Sequence, residues 1–150
     1  MLEQSRSRLA GTQTVFALVC AAAMSLAGGR GAVNASSILS VSPSAVVFSN
    51  TTVGTFDYQM VTVSNTGTDG DYIATADAVP NPPFFPTFAG TCNTSIGPSG
   101  ANYWIPAGES CTFQWGFHPS KPGKQSGVGT LSFASGATAS VTLTGKGTPH

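Results

Sequence analysis

Cys111-Thr-Phe-Gln-Trp-Gly-Phe-His118 is the stretch that decides how this chain folds. Apolar side chains fall at Cys111, Phe113, Trp115 and Phe117, with Thr112, Gln114, Gly116 and His118 between them. A period of two sends the first set to one face of a β-strand and the second set to the other. The strand therefore has one buried face, and its cysteine points into the core beside an indole. A β-sandwich stapled by a disulfide reads in this way.

Outward from that strand, other segments repeat the pattern. Ile38–Val41 and Ala45–Phe48 flank Pro43 and predict a first strand broken by a proline, which a sheet edge tolerates. Tyr58–Asn65 alternates, with Val61 and Val63 on one side and Thr62 and Ser64 on the other. Residues 65–70, Asn-Thr-Gly-Thr-Asp-Gly, form a turn signal, and Asp71–Ala76 is the next expected strand. In residues 79–101, Pro80, Pro82, Pro83 and Pro86 bracket Phe84 and Phe85, and Phe88 follows. The prolines forbid a central strand, while the phenylalanines call for burial. A long connection packed over one end of the sandwich meets both demands. Asn102–Ile105 precedes the turn Pro106–Glu109, and Pro119–Lys124 is a second loop. Thr130–Phe133 and Ala139–Gly145 turn Leu131, Phe133, Val141 and Leu143 inward. No segment after the amino-terminal region carries helical apolar spacing. About seven short strands separated by turns predict an all-β, immunoglobulin-like antiparallel sandwich.

The amino terminus reads as a targeting segment. Arg6 and Arg8 precede an uncharged, mostly apolar run from Val15 to Leu26, and small residues follow. That order matches a secretory signal peptide, with cleavage expected after Ala27 or Ala35. Retention as a membrane anchor is the competing expectation, weakened by Thr12, Gln13 and Thr14. The expected organisation is thus a leader over residues 1–35 and one sandwich domain over 36–150, with no membrane span once the leader is removed. Cys20 departs with the leader, and Cys92 and Cys111 remain. An even count in an exported chain reads as a disulfide. Closing a loop of about 20 residues contributes on the order of 3 kcal/mol. A pair of metal ligands is the alternative, but no second pair and no histidine cluster accompany it.

Composition excludes several classes. Charged residues make up 8% of the chain, too few for the clustered lysine and arginine of a nucleic-acid binder. From Ser36 onward, Asp57, Asp69, Asp71, Asp77 and Glu109 stand against Lys121, Lys124 and Lys146, a net charge of −2. So weak a field steers no charged ligand over distance. The rest is rich in Ser, Thr, Asn and Gly, as in turn-rich extracytoplasmic proteins.

An ordered series of motifs carries a family resemblance: Leu39-Ser-Val-Ser-Pro43, Val47-Phe48, Val53-Gly54, Val61-Thr-Val-Ser-Asn-Thr-Gly67, Ile105-Pro-Ala-Gly-Glu-Ser-Cys-Thr-Phe113, Phe117-His-Pro119, Gly129-Thr-Leu-Ser-Phe133 and Val141-Thr-Leu-Thr-Gly-Lys-Gly147. The series, spanning about residues 38–147, resembles the ASH (ASPM, SPD, Hydin) group and is more closely similar to its bacterial surface version, the choice-of-anchor D domain. The resemblance implies an immunoglobulin-like sandwich related to the major sperm protein fold. It also implies a cysteine pair at Cys92 and Cys111, and a binding or scaffolding role without catalysis or cofactor. Three departures stand out: a single copy where relatives occur in tandem, no sorting motif at Gly147–His150, and a proline-rich 79–101 segment.

Candidate chemistry is sparse. His118, at the end of the cysteine strand, would need a nucleophile and an orienting acid to act as a base, and Ser120 and Glu109 are the nearby choices. A solvated strand-end histidine is the plainer reading. Asp69 and Asp71 supply two carboxylates where calcium wants about six to eight oxygens, so solvated acids in a hairpin turn are expected. Tyr103 and Trp104 are the candidate partner-binding residues, since an exposed aromatic pair can stack on a sugar ring or anchor a protein. Otherwise, at least one of them covers the end of the sandwich. The expected protein is a secreted, periplasmic or cell-surface binding or structural module that is not an enzyme and contacts a protein or a surface glycan. Assembly by strand addition, as in pilus chaperones and subunits, is the alternative. A glycan-binding accessory domain or a glycan hydrolase ranks last; the hydrolase needs two carboxylates about 5–10 Å apart, and the acids are few.

Overall fold

The structure, a computed structural model, describes residues 36–94, 97, 100 and 103–150, so the expected leader over residues 1–35 and Asn102 lie outside the described residues. Among the described residues the chain forms β1 (Leu39–Ser42), β2 (Ala45–Thr52), β3 (Asp57–Asn65), β4 (Asp71–Val79), β5 (Phe84–Pro86), β6 (Trp104–Ile105), β7 (Ser110–Phe117), β8 (Gly123–Phe133) and β9 (Thr138–Thr148). A four-stranded sheet has the order β1-β3-β7-β5, and a five-stranded sheet the order β2-β9-β8-β4-β6. The only helical element among the described residues is a single 3-10 turn, Thr91–Thr94.

The inward faces of the two sheets make the core. Val61, Val63, Phe113, Trp115 and Phe117 from the four-stranded sheet meet Val46, Phe48, Ile73, Leu131, Phe133, Val141 and Leu143 from the other, all nearly inaccessible to solvent. Phe48, Phe84 and Phe117 pack with centroids 5.1–5.8 Å apart, and Phe113 meets Trp115 edge-on at 5.3 Å. The alternation of Cys111 to Phe117 is the alternation of the structure.

Three expectations need correction. The strands number nine among the described residues, because the first splits in two and β5 forms within the proline-rich segment. β1 and β2 belong to different sheets, and the chain changes layer at Pro43–Ser44. β2 lies parallel to β9, so the five-stranded sheet is mixed, not purely antiparallel. β5 pairs with β7 on one side only, as an edge strand holding Pro86 must.

β8 is the third correction. It starts at Gly123, seven residues before the expected Thr130, and takes in Lys124 from the expected loop. Its inward positions Gly127 and Gly129 hid it, because neither supplies an apolar side chain to the alternation. A Cβ at Gly129 would collide with the Trp115 indole, one at Gly127 with Phe84 and the Val79 carbonyl, and one at Gly145 of β9 with Phe117. Large rings from one sheet thus rest on bare backbone of the other. Packing density is met by aromatic against glycine instead of aliphatic against aliphatic.

Candidate functional site

The outward face of the four-stranded sheet follows from the same strands read on their other period. β3 turns Tyr58, Met60, Thr62 and Ser64 outward, and β7 turns Thr112, Gln114 and Gly116 outward. In register, Tyr58 lies opposite Gly116, and Phe85 of β5 lies opposite Gly116 from the other side. Gly116 has no side chain, and a Cβ there would strike the Phe85 ring. Tyr58 and Phe85 converge over it, with centroids 6.4 Å apart and planes at 85°.

Phe56, just before β3, extends the cluster. Its ring stacks on His118 at 4.2 Å and 11°, runs parallel to Tyr58 at 6.2 Å and 3°, and meets Phe85 edge-on at 6.0 Å. Phe56 is 54% exposed, Met60 47% and Tyr58 45%. Burial explains none of these three side chains, two rings and a thioether. Further along the face come Ser40 and Ser42 of β1, Thr62 and Ser64 of β3, and Thr112 of β7. No Lys, Arg, Asp or Glu of these strands faces outward here. Asp57 aims its carboxylate at the Ser49 N–H of β2, at 2.7 Å.

Sequence reasoning named Tyr103 and Trp104 instead. Tyr103 is half buried, packs against the core cluster and lies 5.6 Å from Phe88, while its carbonyl accepts from the Ile73 N–H at 3.2 Å. Trp104 is half buried in β6, opposite Tyr72, and its indole rests against Gly70 and Gly97. What remains open of it borders a shallow depression with Ser36, Ser37, Asp71 and Ser135. The exposed cluster lies at the other end of the molecule. Its one signal in the sequence was Phe56-x-Tyr58-x-Met60, an apolar alternation in antiphase with Val61 and Val63.

Asp71 is not a solvated turn acid; it is 4% exposed. It accepts from the Ser37 hydroxyl at 2.8 Å, the Tyr72 N–H at 2.8 Å and the Ser135 N–H at 3.3 Å. Burial pushes its carboxyl up, but hydrogen bonds from Ser135, Ser37 and the Tyr72 amide outweigh burial and hold it below the usual carboxylate range. Asn65 beside it is fully buried. Its Oδ1 accepts from the Ile38 and Gly67 N–H groups at 3.2 and 3.0 Å, and its Nδ2 donates to the Asp69 and Ile105 carbonyls at 2.7 and 3.2 Å. These two polar side chains lock the end of the sandwich remote from Phe56.

Cys92, on the 3-10 turn, is bonded to Cys111 at the start of β7, with Cα atoms 4.9 Å apart. The Thr91 N–H donates to the Thr112 hydroxyl at 2.9 Å, and the Thr112 N–H donates to the Thr91 hydroxyl at 2.8 Å. The phenylalanine-rich connection is therefore stitched to the edge of β7 beyond β5. His118 and Glu109 flank opposite ends of β7, roughly 30 Å apart at about 3.3 Å per residue. Glu109 cannot orient that imidazole. Among the described residues no group of three or more His, Cys, Asp or Glu side chains gathers. No helix among them is long and apolar enough to cross a membrane.

No family model matches this chain, and no curated protein does. Solved structures do. A Porphyromonas gingivalis protein of unknown function superposes with a TM-score of 0.55 at 9% identity, over 79% of this chain and 51% of that one. The ASH/PapD-like domain 7 of human CEP192 superposes at 0.50 and 10% identity, over 75% and 86%. The sandwich is immunoglobulin-like. The VesB protease of Vibrio cholerae matches at 0.51 and 15% identity, over 73% of this chain and 31% of the protease, so this chain spans about a third of that protein. At such identities the shared property is the fold.

Proposed function

We propose that this chain is an exported, non-catalytic binding module of the cell surface or periplasm, and that it docks through the outward face of the four-stranded sheet. The observation that carries the reading is the exposed cluster of Phe56, Tyr58 and Met60 around Phe85 and His118. Exposed aromatic side chains held in fixed mutual packing lose little freedom on binding and bring large contact area. The disulfide supports export, since such bonds persist in oxidising compartments. The motif series from Leu39 to Gly147 supports the choice-of-anchor D version of the ASH fold.

Retention of the purified exported chain on the producing cell's envelope fraction tests this reading. Wild type is retained, and the Phe56→Ser/Tyr58→Ser variant is lost to the supernatant. Equal retention of the two overturns it.

Strand addition is the second reading, favoured by one feature of the five-stranded sheet. β6 pairs with Asp71 and Tyr72 of β4 only, so among the described residues Ala74–Val79 are paired on the β8 side alone. A protein strand could lie along that edge. Light scattering that finds only monomer across a wide concentration range removes self-assembly through it.

A further inference from the structure

We infer that the aromatic end of this face seats a neutral glycan chain; the inference rests on the docking reading above and names its ligand. Three observations converge on it. First, the outward face carries no ionised side chain along its strands, while Lys121, Lys124 and Lys146, the three lysines of the described residues, lie on β8, β9 and the loop before them. Lys124 and Lys146 stand directly opposite each other across β8 and β9. A polyanion would be drawn to those lysines and not to the aromatic face. Protein partners are oriented by charge at an interface rim, and this face has none to offer.

Second, the rings present what a pyranose uses. The faces of aromatic rings are electron-rich and accept the polarised C–H groups of a sugar ring. Phe56 and Tyr58 lie in nearly parallel planes with centroids 6.2 Å apart, so both can meet one chain in the same orientation. Third, a fixed polar group stands beside them. Gln114 lies opposite Met60, next to the rings, and its Oε1 accepts from the Thr87 hydroxyl at 2.9 Å. That bond holds the amide and turns its Nε2 donor away from Thr87. The seat needs no rearrangement, because Phe85 rests on Gly116 and Phe56 on His118 before any ligand arrives.

Affinity electrophoresis of the exported chain in gels holding soluble neutral polysaccharides (β-glucan, xyloglucan, galactomannan), with alginate and heparin alongside, tests the inference. At least one neutral polymer retards the wild type, equally from about 0.05 to about 0.5 M NaCl, because no charge pair is involved. Phe56→Ala and Tyr58→Ala each weaken that retardation about tenfold or more, as truncation of an anchoring aromatic does. Gln114→Ala weakens it less. Both ring positions are half exposed, so the variants fold, and unchanged urea midpoints verify this. Retardation only by the anionic polymers, abolished by salt, moves binding to the lysines and overturns the inference. So does failure of every neutral polymer to retard the wild type. If envelope retention still depends on Phe56 and Tyr58 in that case, the docking face stands and its ligand is a protein. A dimer dispersed by Phe56→Ala assigns the face to a second copy and likewise refutes a glycan.

Discussion

Replacing Asn65 by alanine is the sharpest test of how this fold is held. The amide is fully buried and makes four hydrogen bonds, to Ile38, Gly67, Asp69 and Ile105. Three of those partners lie near the surface, where water can replace the lost group at about 0.5 kcal/mol each. The fourth, the Ile105 carbonyl, lies inside the end of the sandwich, and orphaning it costs about 1–3 kcal/mol. The total is about 2.5 to 4.5 kcal/mol, out of the roughly 5–15 kcal/mol that holds a domain together. With a urea dependence of about 1–3 kcal/mol per molar, the unfolding midpoint falls by about 2 M. Thr66→Ala, at an exposed neighbour whose hydroxyl reaches the Ile38 carbonyl only at 3.5 Å, shifts it by less than about 0.3 M. Asn65→Asp supplies the control for shape. A carboxylate oxygen would face the Asp69 and Ile105 carbonyls, so its folded-state pKa rises. The variant keeps a protonated donor at acid pH and loses that contribution as pH rises through the folded value. A midpoint shift below about 0.5 M for Asn65→Ala, or an Asn65→Asp variant as stable as wild type at about pH 7, would refute this reasoning.

Other outcomes follow from the same contacts. Gly116→Ala displaces Phe85 and costs about 1–3 kcal/mol, and a second change, Phe85→Ala, recovers part of it; strictly additive losses in the double variant count against the seat over Gly116. Removing the bond with Cys92→Ser/Cys111→Ser, whose positions are 19 apart, lowers stability by about 3 kcal/mol in chemical denaturation, and two alkylatable thiols in the exported wild type contradict the pairing. Asp71 has a depressed pKa, so its contribution is present above the unfolded value and is lost as pH falls through the lower folded one. Asp71→Asn therefore flattens the stability curve below about pH 4, and an unchanged acid limb argues against the Ser37 and Ser135 bonds.

The sandwich was legible where side chains carry the pattern. Cys111 to Phe117 showed its faces because every inward position is apolar, and Val61, Val63, Val141 and Leu143 did the same. β8 was half hidden because glycine serves as an inward residue when a ring from the facing sheet fills its space, and no period registers an absent side chain. β5 was hidden by its prolines, which exclude a central strand but not an edge. Asn65 and Asp71 sit within turn-forming sequence, and turn preference outweighs burial until tertiary contacts are known. The aromatic face escaped for a different reason. Phe56, Tyr58 and Met60 interleave with inward residues, while Phe85 of β5 and His118 just after β7 reach the same spot only because the strand register brings them alongside.

Gly116 joins the two halves of this molecule. On β7 the inward residues Phe113, Trp115 and Phe117 build the core, so the strand cannot slip by one position without turning three large rings into water. That fixed register places Gly116 between Tyr58 and Phe85, and its missing side chain lets two rings from flanking strands meet above it. An aromatic surface on the outside thus follows from an aromatic core on the inside, through one strand read on its two faces. A residue larger than glycine at 116 would leave the core intact and dismantle the surface. Loss of binding with the Trp115 environment unchanged, read by its fluorescence in a Trp104→Phe background, is therefore the expected signature of Gly116→Ala. A shift of that emission to longer wavelength would show instead that core and surface are one cooperative unit.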